Sequence, residues 1–379
     1  MEEEVKRLAL ATGFDIVGIT GAENFEEDEA AALKRYEDGH MDGYSWYTKE
    51  RIHLMNRPEE LLVGAKSVIS LAMSYLVKEE KAVSESENSL TGKIARYSWG
   101  DDYHMVIKQR LREFCEGLSG IAERDVTTRI FVDDGPMNDR AAANRAGVGW
   151  FGKNANILTP SHGSWVFLAQ VITDLELKPD KALKKNCGSC VLCIDDCPTN
   201  AIVAPYVVDN TRCISYLTIE LKGSIPKELR PLMGDWVFGC DICQDVCPVN
   251  RKAKLSKTVE FEQRPGYSTP ELVPILEMDD NTFRNIYQNS PIKRAKRVGL
   301  QRNACVALGN NGDPNAVDPL SQALINCEPL VRCHAAWALG RIGGISAIAA
   351  LKSALCNETH SQVVEEIKSA LEEASKELL

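Results

Sequence analysis

The sequence predicts a multidomain α+β protein in three parts: a mixed α/β region over residues 1–180, a metal-organised stretch over 181–258 and a helical-repeat tail over 259–379. Three observations carry this division. In the first part short apolar, β-branched runs alternate with segments of helical apolar spacing. Eight of the thirteen cysteines fall between Cys187 and Cys247, where periodicity fades, as expected when metal rather than a large apolar core organises the chain. Beyond about residue 280 a helical pattern recurs 31 residues later.

In the first part, FDIVGIT near the start and the runs 67–76, 129–134 and 164–173 read as strands, and 104–123 reads as an amphipathic covering helix. The polar run 80–92 reads as a solvated loop. In the tail, QRNACVALG (301–309) and RCHAAWALG (332–340) align, each ending at Ala-Leu-Gly. Small residues on a helix followed by a glycine turn indicate stacked helix pairs of the HEAT type, which bury a continuous core only when several stack.

At 44% apolar residues the chain can build proper cores, and its net charge of −10 excludes a general nucleic-acid coat while leaving room for a local basic patch. The acidic opening has no secretory pattern and no run of eighteen apolar residues occurs, so a cytoplasmic protein with no membrane span is expected. Thirteen cysteines in such a chain do not read as a disulfide framework. Cys115, Cys305, Cys327, Cys333 and Cys356 lie in helix-like sequence and are expected in the core.

The cysteine block carries the strongest signal. Cys187, Cys190, Cys193 and Cys197 form C-x2-C-x2-C-x3-C followed by Pro198; Cys213 comes next, then Cys240, Cys243 and Cys247 before Pro248. Zinc is the rival, because paired C-x2-C units also make tetrahedral sulfur sites. The spacing decides for two [4Fe–4S] clusters, since in this ferredoxin pattern the fourth cysteine of a run ligates the other cluster. Cys187, Cys190 and Cys193 then take Cys247 for cluster one, and Cys240 and Cys243 take Cys197 and Cys213 for cluster two.

No G-x-G-x-x-G follows a strand and no P-loop is present, so the electrons do not enter from a nucleotide held in those ways. None of the six histidines forms a metal-like pair. The densest polar chemistry is 131–160, where a strand ends at Asp133 and Asp134 and a helix starts near Asn138 or Asp139. A carboxylate at the end of such a strand, opening on a ligand crevice, can serve as a proton donor once desolvated; equally, the two aspartates build a turn and cap the helix.

The order of ARYSWGDDYH (95–104), VDDGPMNDR (132–140), AGVGWFGKN (146–154), the double cysteine motif with RCISYLT (212–218) and GCDICQDVCP (239–248), and the HEAT-like tail closely resembles the epoxyqueuosine reductase family. The likeness covers nearly the whole chain. It implies a cobalamin-binding α/β domain similar to that of reductive dehalogenases, a ferredoxin-type domain and a repeat domain contacting tRNA. The implied activity is reduction of epoxyqueuosine to queuosine at the wobble position of tRNA, with electrons passing through both clusters to a base-off cobalamin. No D-x-H-x-x-G motif is present, because Ile107 stands where the glycine would be. A corrinoid reductase of a small molecule and a non-catalytic electron carrier are the alternatives; the twin-arginine export signal typical of reductive dehalogenases is absent.

The resemblance implies Asp133 as proton donor, with Asp134 its rival, and cobalamin contacts at Arg57, Asp133, Arg140, Lys153, Asn154, Ile157, Leu168, Ser215 and Asp241. Asp139 keeps the charge of a glutamate common in the family. The basic run 292–302, with Lys293, Arg294, Lys296, Arg297 and Arg302, reads as a phosphate-binding face or as an ordinary solvated one. Trp99, Tyr103 and Trp150 either stack on a splayed base or fill core. Expected partners are the tRNA and an external reductant, with the chain a monomer.

Overall fold

The computed structural model describes residues 1–79 and 90–376. Residues 80–89 of the polar run lie outside the described residues. The chain forms two compact units, each assembled from separated segments. The first comprises 1–78, 100–211 and 241–262, and the second 79–99, 212–240 and 263–379. The cysteine-rich stretch is shared between the two rather than forming a unit of its own. Its regular pieces near the cysteines are short, from single turns such as Leu192–Asp195 and Ile242–Asp245 to the six-residue helix Ile214–Ile219, and metal ligation would tie them together.

The first unit is built on a four-stranded sheet of β1 (Ile16–Gly21), β2 (Ser67–Ser74), β3 (Thr128–Phe131) and β4 (Val166–Thr173), in the order β1-β2-β4-β3. Every pairing is antiparallel, with Ile19 opposite Ile69, Ser70 opposite Gln170 and Phe131 opposite Gln170. The crevice rule for parallel sheets therefore does not place Asp133. β2 is buried along its whole length, so its sequence is nearly all apolar or small, without alternation.

Helix α1 (Tyr103–Ala122) begins at Asp102, whose carboxylate accepts from the His104 backbone N–H at 3.2 Å. Its Ile107, Leu111, Phe114 and Leu118 recur at helical spacing and are fully buried; each such burial contributes about 1.5–3 kcal/mol relative to exposure. Helix α2 (Asp139–Arg145) is capped by Asn138, which accepts from the Ala141 N–H at 3.3 Å. Its buried Ala141, Ala142 and Ala143 let it lie close on the sheet. Phe167 of β4 stacks on Tyr103 of α1, while Gln170 donates to the Asp139 carbonyl of α2. Because strand residues alternate, α1 and α2 flank opposite faces.

In the second unit Lys93–Ile94 pairs in parallel with Trp236–Phe238, and α3 (Ile214–Ile219) follows Cys213. The tail is a helical stack: α4 (Lys296–Asn311), α5 (Val317–Ala323), α6 (Pro329–Ile342), α7 (Gly344–Asn357) and α8 (Ser361–Lys376). α6 packs between α4 and α8. Among the described residues no helix is long and apolar enough to cross a membrane.

The repeated Ala-Leu-Gly does not end its helix as expected. Gly312 and Gly343, both at φ +68°, terminate α4 and α6, while Gly309 and Gly340 sit where helices touch. A Cβ at Gly340 would lie 2.8 Å from the Ala370 backbone on α8, and one at Gly309 would lie 2.9 Å from the Ala338 backbone on α6. Helix propensity alone favours replacing a mid-helix glycine, yet Gly340→Val is expected to destabilise the stack by about 1–3 kcal/mol through overpacking. A denaturant midpoint below wild type checks this.

Arg302 corrects the expected basic face. It is fully buried on α4 and donates to the carbonyls of Leu217 (2.6 Å), Leu221 (2.7 Å) and Gly223 (2.8 Å). It thereby satisfies one carbonyl of the last turn of α3 and two of the chain that follows it. Burial, with the charge of Arg230 adding, pulls its guanidinium down to about 10. Arg297 is also largely enclosed, donating to Asp280 at 2.7 Å and Gln301 at 2.8 Å. Lys293, Arg294 and Lys296 remain exposed, with Arg294 paired to Glu220. A charged residue in the repeats met the carbonyls before it met solvent.

Of the five cysteines expected in the core, Cys305 and Cys333 are buried and Cys115 half-buried, but Cys327 and Cys356 are exposed. Cys327 lies in the turn before α6 and Cys356 on the last turn of α7, positions that no neighbouring helix covers.

His334 on α6 is fully buried. Its Nε2 accepts from the Ile225 N–H at 3.2 Å and its Nδ1 lies 2.8 Å from the Leu330 carbonyl, which suits the neutral tautomer. Burial, then the charges of Arg230 and Arg302, holds it well below the usual histidine range. Its contribution to stability is therefore present above about pH 6.5, the unfolded value, and declines below that by at most about 1.4 kcal/mol per pH unit. Unfolding midpoints measured from pH 7.5 to 5.5, in wild type and His334→Gln, are expected to differ in slope.

Candidate active site

The turn after β3 holds the first candidate. Asp133 adopts φ +54°, a left-handed conformation uncommon outside glycine and found at turns and functional sites. Its carboxylate is exposed and accepts a hydrogen bond of 2.7 Å from the Tyr103 hydroxyl at the start of α1. Tyr103 is stacked on Phe167 at 4.2 Å and on His104 at 4.0 Å. Neither aspartate caps α2, since Asn138 does. Asp134 is ion-paired with Lys108 and closes the turn by accepting from the Val132 N–H. The two aspartates are thus unequal: Asp134 has a cationic partner, whereas Asp133 is presented on a polar but uncharged one.

The apolar side of this region lies on the α2 face. Ile157 is buried in a cluster with Ala72, Ala143, Ala146 and Val148, and Leu168 packs at its margin, half-buried. Arg140 anchors to the Ala155 carbonyl at 2.9 Å, two residues before Ile157. Ile157 and its neighbours are thus closed off from solvent, and of the residues expected at the corrin on this face only half-buried Leu168 and exposed Arg140 present surface. Arg57 is already committed, donating to Glu29 at 2.9 Å and to His53 at 3.0 Å.

The second candidate lies in the same unit. Cys187, Cys190, Cys193 and Cys247 line a small opening together with Gly152, Leu158 and Pro248. They surround it rather than closing on one point: among the described residues no three His, Cys, Asp or Glu side chains are placed to hold a single metal ion. Burial and the neighbouring Cys187, Cys247 and Cys190 push the Cys193 thiol up to about 11, and thiolates gathered this closely call for a cationic partner.

Lys153 and Asn154 line this opening too. Lys153 donates to the Gly188 carbonyl at 2.8 Å and Asn154 to the Cys243 carbonyl at 3.1 Å. Gln244, which the sequence reading missed, accepts from Ser164 at 2.8 Å and Tyr75 at 3.3 Å, and donates to the fully buried Asp241 at 3.0 Å. Its position between Cys243 and Cys247 was the available signal. Of the other cysteines, Cys197 and Cys243 belong to the first unit, and Cys213 and Cys240, with Ser215, to the second.

The aromatics separate. Trp99 is buried and donates its indole N–H to the Ile94 carbonyl at 2.7 Å, and Trp150 is buried, so both fill core. Tyr103 alone of the three meets the candidate acid.

A family model described as epoxyqueuosine reductase QueG, DUF1730, matches residues 56–134. A 4Fe–4S double cluster binding domain matches 186–250 and HEAT repeats match 293–372. The epoxyqueuosine reductase of Cellulophaga algicola is 43% identical over 300 residues, covering 79% of this chain and 95% of its own. The chain belongs to the epoxyqueuosine reductase family. It is an oxidoreductase, and its cysteine block carries the ligands of two [4Fe–4S] clusters rather than zinc. Among solved epoxyqueuosine reductases, one in complex with an epoxyqueuosine-modified tRNA-Tyr stem loop is 33% identical, superimposes with a TM-score of 0.93 and matches 99% of this chain and 98% of its own. Another, from Bacillus subtilis, whose aspartate-bearing catalytic loop is swung out of the active site, has 33% identity, a TM-score of 0.92 and 98% coverage of both chains.

Proposed function

We propose that this chain reduces epoxyqueuosine to queuosine in the anticodon loop of tRNA, with Asp133 as the proton donor. The observation that carries the reading is the acid turn: Asp133 held in a left-handed conformation with its carboxylate on the Tyr103 hydroxyl, in a chain that matches epoxyqueuosine reductases from end to end. The aspartate-bearing catalytic loop of the Bacillus subtilis relative supports a catalytic aspartate on a loop, without choosing between Asp133 and Asp134.

Cysteines 187, 190, 193 and 247 hold one cluster, and 197, 213, 240 and 243 the other. Ile157, Leu168, Arg140 and Asp241 would hold a cobalamin, and Arg57 would contribute only while sharing its guanidinium with Glu29. When bound, these groups supply the two electrons of the reduction. The chain's own residues supply position and protons. Tyr103 fixes the carboxyl of Asp133, and burial of that turn under cofactor and substrate excludes water from the transferring proton.

Lys293, Arg294 and Lys296 bind phosphates of the RNA backbone, a sequence-independent contribution that falls as salt rises. The chain works as a monomer in the cytoplasm with an external reductant. The test is complementation. Expressed in bacteria lacking their own epoxyqueuosine reductase, the chain is expected to convert accumulated epoxyqueuosine in bulk tRNA to queuosine. TRNA that keeps its epoxide despite full-length, cluster-loaded protein contradicts the reading.

A further inference from the structure

The reduction takes two electrons from outside the chain, and a donor can pass them only where cluster ligands meet solvent. The two ligand sets differ in this. Residues directly beside the cluster-one cysteines are exposed, except Ile194 and Val246, whereas those beside the cluster-two cysteines are buried or half-buried, except Asp196. Cluster one is therefore the one that solvent reaches.

The surface around it has an apolar centre and a cationic rim. Val191 and Leu192 are 39% and 40% exposed, each next to a cluster-one cysteine, and Leu192 lines the opening. Lys184 and Lys185 precede Cys187, and Arg251 and Lys252 follow Cys247 on the 3₁₀ turn Pro248–Lys252. At roughly 2 Å per residue this turn keeps both within about 10 Å of Cys247 along the chain. The Lys185 ammonium lies 5.3 Å from the centre of the Trp150 ring, two residues before Gly152 of the opening.

All four cations are exposed, and among the described residues none is paired with a carboxylate. Elsewhere in this unit Lys6, Lys34, Lys66 and Arg110 pair with Asp180, Asp38, Glu176 and Glu260. The exposed carboxylates of the stretch, Asp195 and Asp196, come just before Cys197, which is assigned to cluster two. In a chain of net charge −10, unmatched cations beside an exposed apolar pair select an anionic partner and steer its approach. An apolar centre inside a polar rim is the make-up of a protein interface. An RNA backbone would meet the cations but leave Val191 and Leu192 without a partner, and it brings no electrons.

We propose that Val191 and Leu192, with Lys184, Lys185, Arg251 and Lys252 at their rim, form the docking surface for a small acidic one-electron carrier protein of the ferredoxin class. This names the class of the external reductant in the proposed function, on which it rests. Each encounter oxidises the carrier by one electron, taken up at cluster one, and two encounters supply the two electrons of the reduction. The interface is small, as in other electron-transfer encounters, so the spent carrier leaves between them.

The probe is a plant-type [2Fe–2S] ferredoxin, used with anaerobic, cluster-replete protein free of cobalamin and tRNA. Titration gives binding, and rapid mixing gives the rate of cluster reduction. Ferredoxin is expected to bind and reduce wild type at low salt and to lose about tenfold in both at high salt. The combined Lys184→Glu, Lys185→Glu, Arg251→Glu and Lys252→Glu protein, at wild-type iron content, is expected to lose about tenfold or more with ferredoxin. The methyl viologen radical cation should reduce it no more slowly than wild type. Lys184→Gln with Lys185→Gln, a milder change, is expected to lose a smaller part, and Val191→Ser to weaken binding while keeping the salt dependence. Charge-reversed protein that ferredoxin binds and reduces like wild type overturns the inference, as does wild type that ferredoxin fails to bind. So does charge-reversed protein that loses affinity only for an anticodon stem loop, which assigns the surface to RNA. Protein whose clusters ferredoxin reduces but which makes no queuosine once loaded with cobalamin contradicts the proposed function instead, so the two failures are distinguishable.

Discussion

Asp133→Asn is expected to lower queuosine formation by about 10²–10⁴-fold, the range a positioned acid contributes, with both clusters intact. Asparagine keeps the shape and still accepts from the Tyr103 hydroxyl, so the loss reports the proton and not the turn. Tyr103→Phe removes only the group that orients the carboxyl, and its ring remains stacked on Phe167; a loss of roughly tenfold is expected, of the size of one hydrogen bond. Asp134→Asn breaks the pair with Lys108 at an exposed site and is expected to change turnover by less than Asp133→Asn does. Single-turnover nucleoside analysis of the three variants ranks them. An Asp133→Asn protein with full turnover removes it from the mechanism.

The second large effect concerns Cys197. It stands in the run that begins at Cys187 but is assigned to the other cluster. Cys197→Ala is therefore expected to leave roughly half the iron and sulfide and to abolish turnover. The reduced spectrum of the surviving cluster should match that of Cys213→Ala and Cys240→Ala, and differ from those of Cys187→Ala and Cys190→Ala. A Cys197→Ala spectrum matching the Cys187→Ala set assigns the cysteine to its own neighbours and overturns the crossed ligation.

Much of the fold was legible because its signals are local. The four strands follow β-branched runs, and α1 follows the spacing of Ile107, Leu111, Phe114 and Leu118. The cysteine spacing marked the clusters because ligand geometry is written along the chain. Strand order was not legible: pairing is long-range, and an apolar run such as β2 reads alike in parallel and antiparallel sheets. Arg302 was misread because charge is visible in sequence and its carbonyl partners, some eighty residues upstream, are not.

At the candidate site the sequence drew attention to Asp133 but not to what distinguishes it from Asp134. That difference lies in Lys108 and Tyr103, both on α1 and distant in sequence. Lys153 and Asn154 sit in a motif adjoining the corrin contacts in sequence, yet the turn before Ile157 carries them to the cysteine opening.

The central claim is that this chain joins two clusters, a cobalamin and Asp133 into one reductase of modified tRNA. The most direct measurement uses protein purified anaerobically, replete in clusters and loaded with cobalamin, given a chemical reductant and epoxyqueuosine-containing tRNA. Nucleoside mass spectrometry is expected to show queuosine replacing epoxyqueuosine, dependent on cobalamin and on Asp133. Unchanged epoxyqueuosine from such a preparation contradicts the claim.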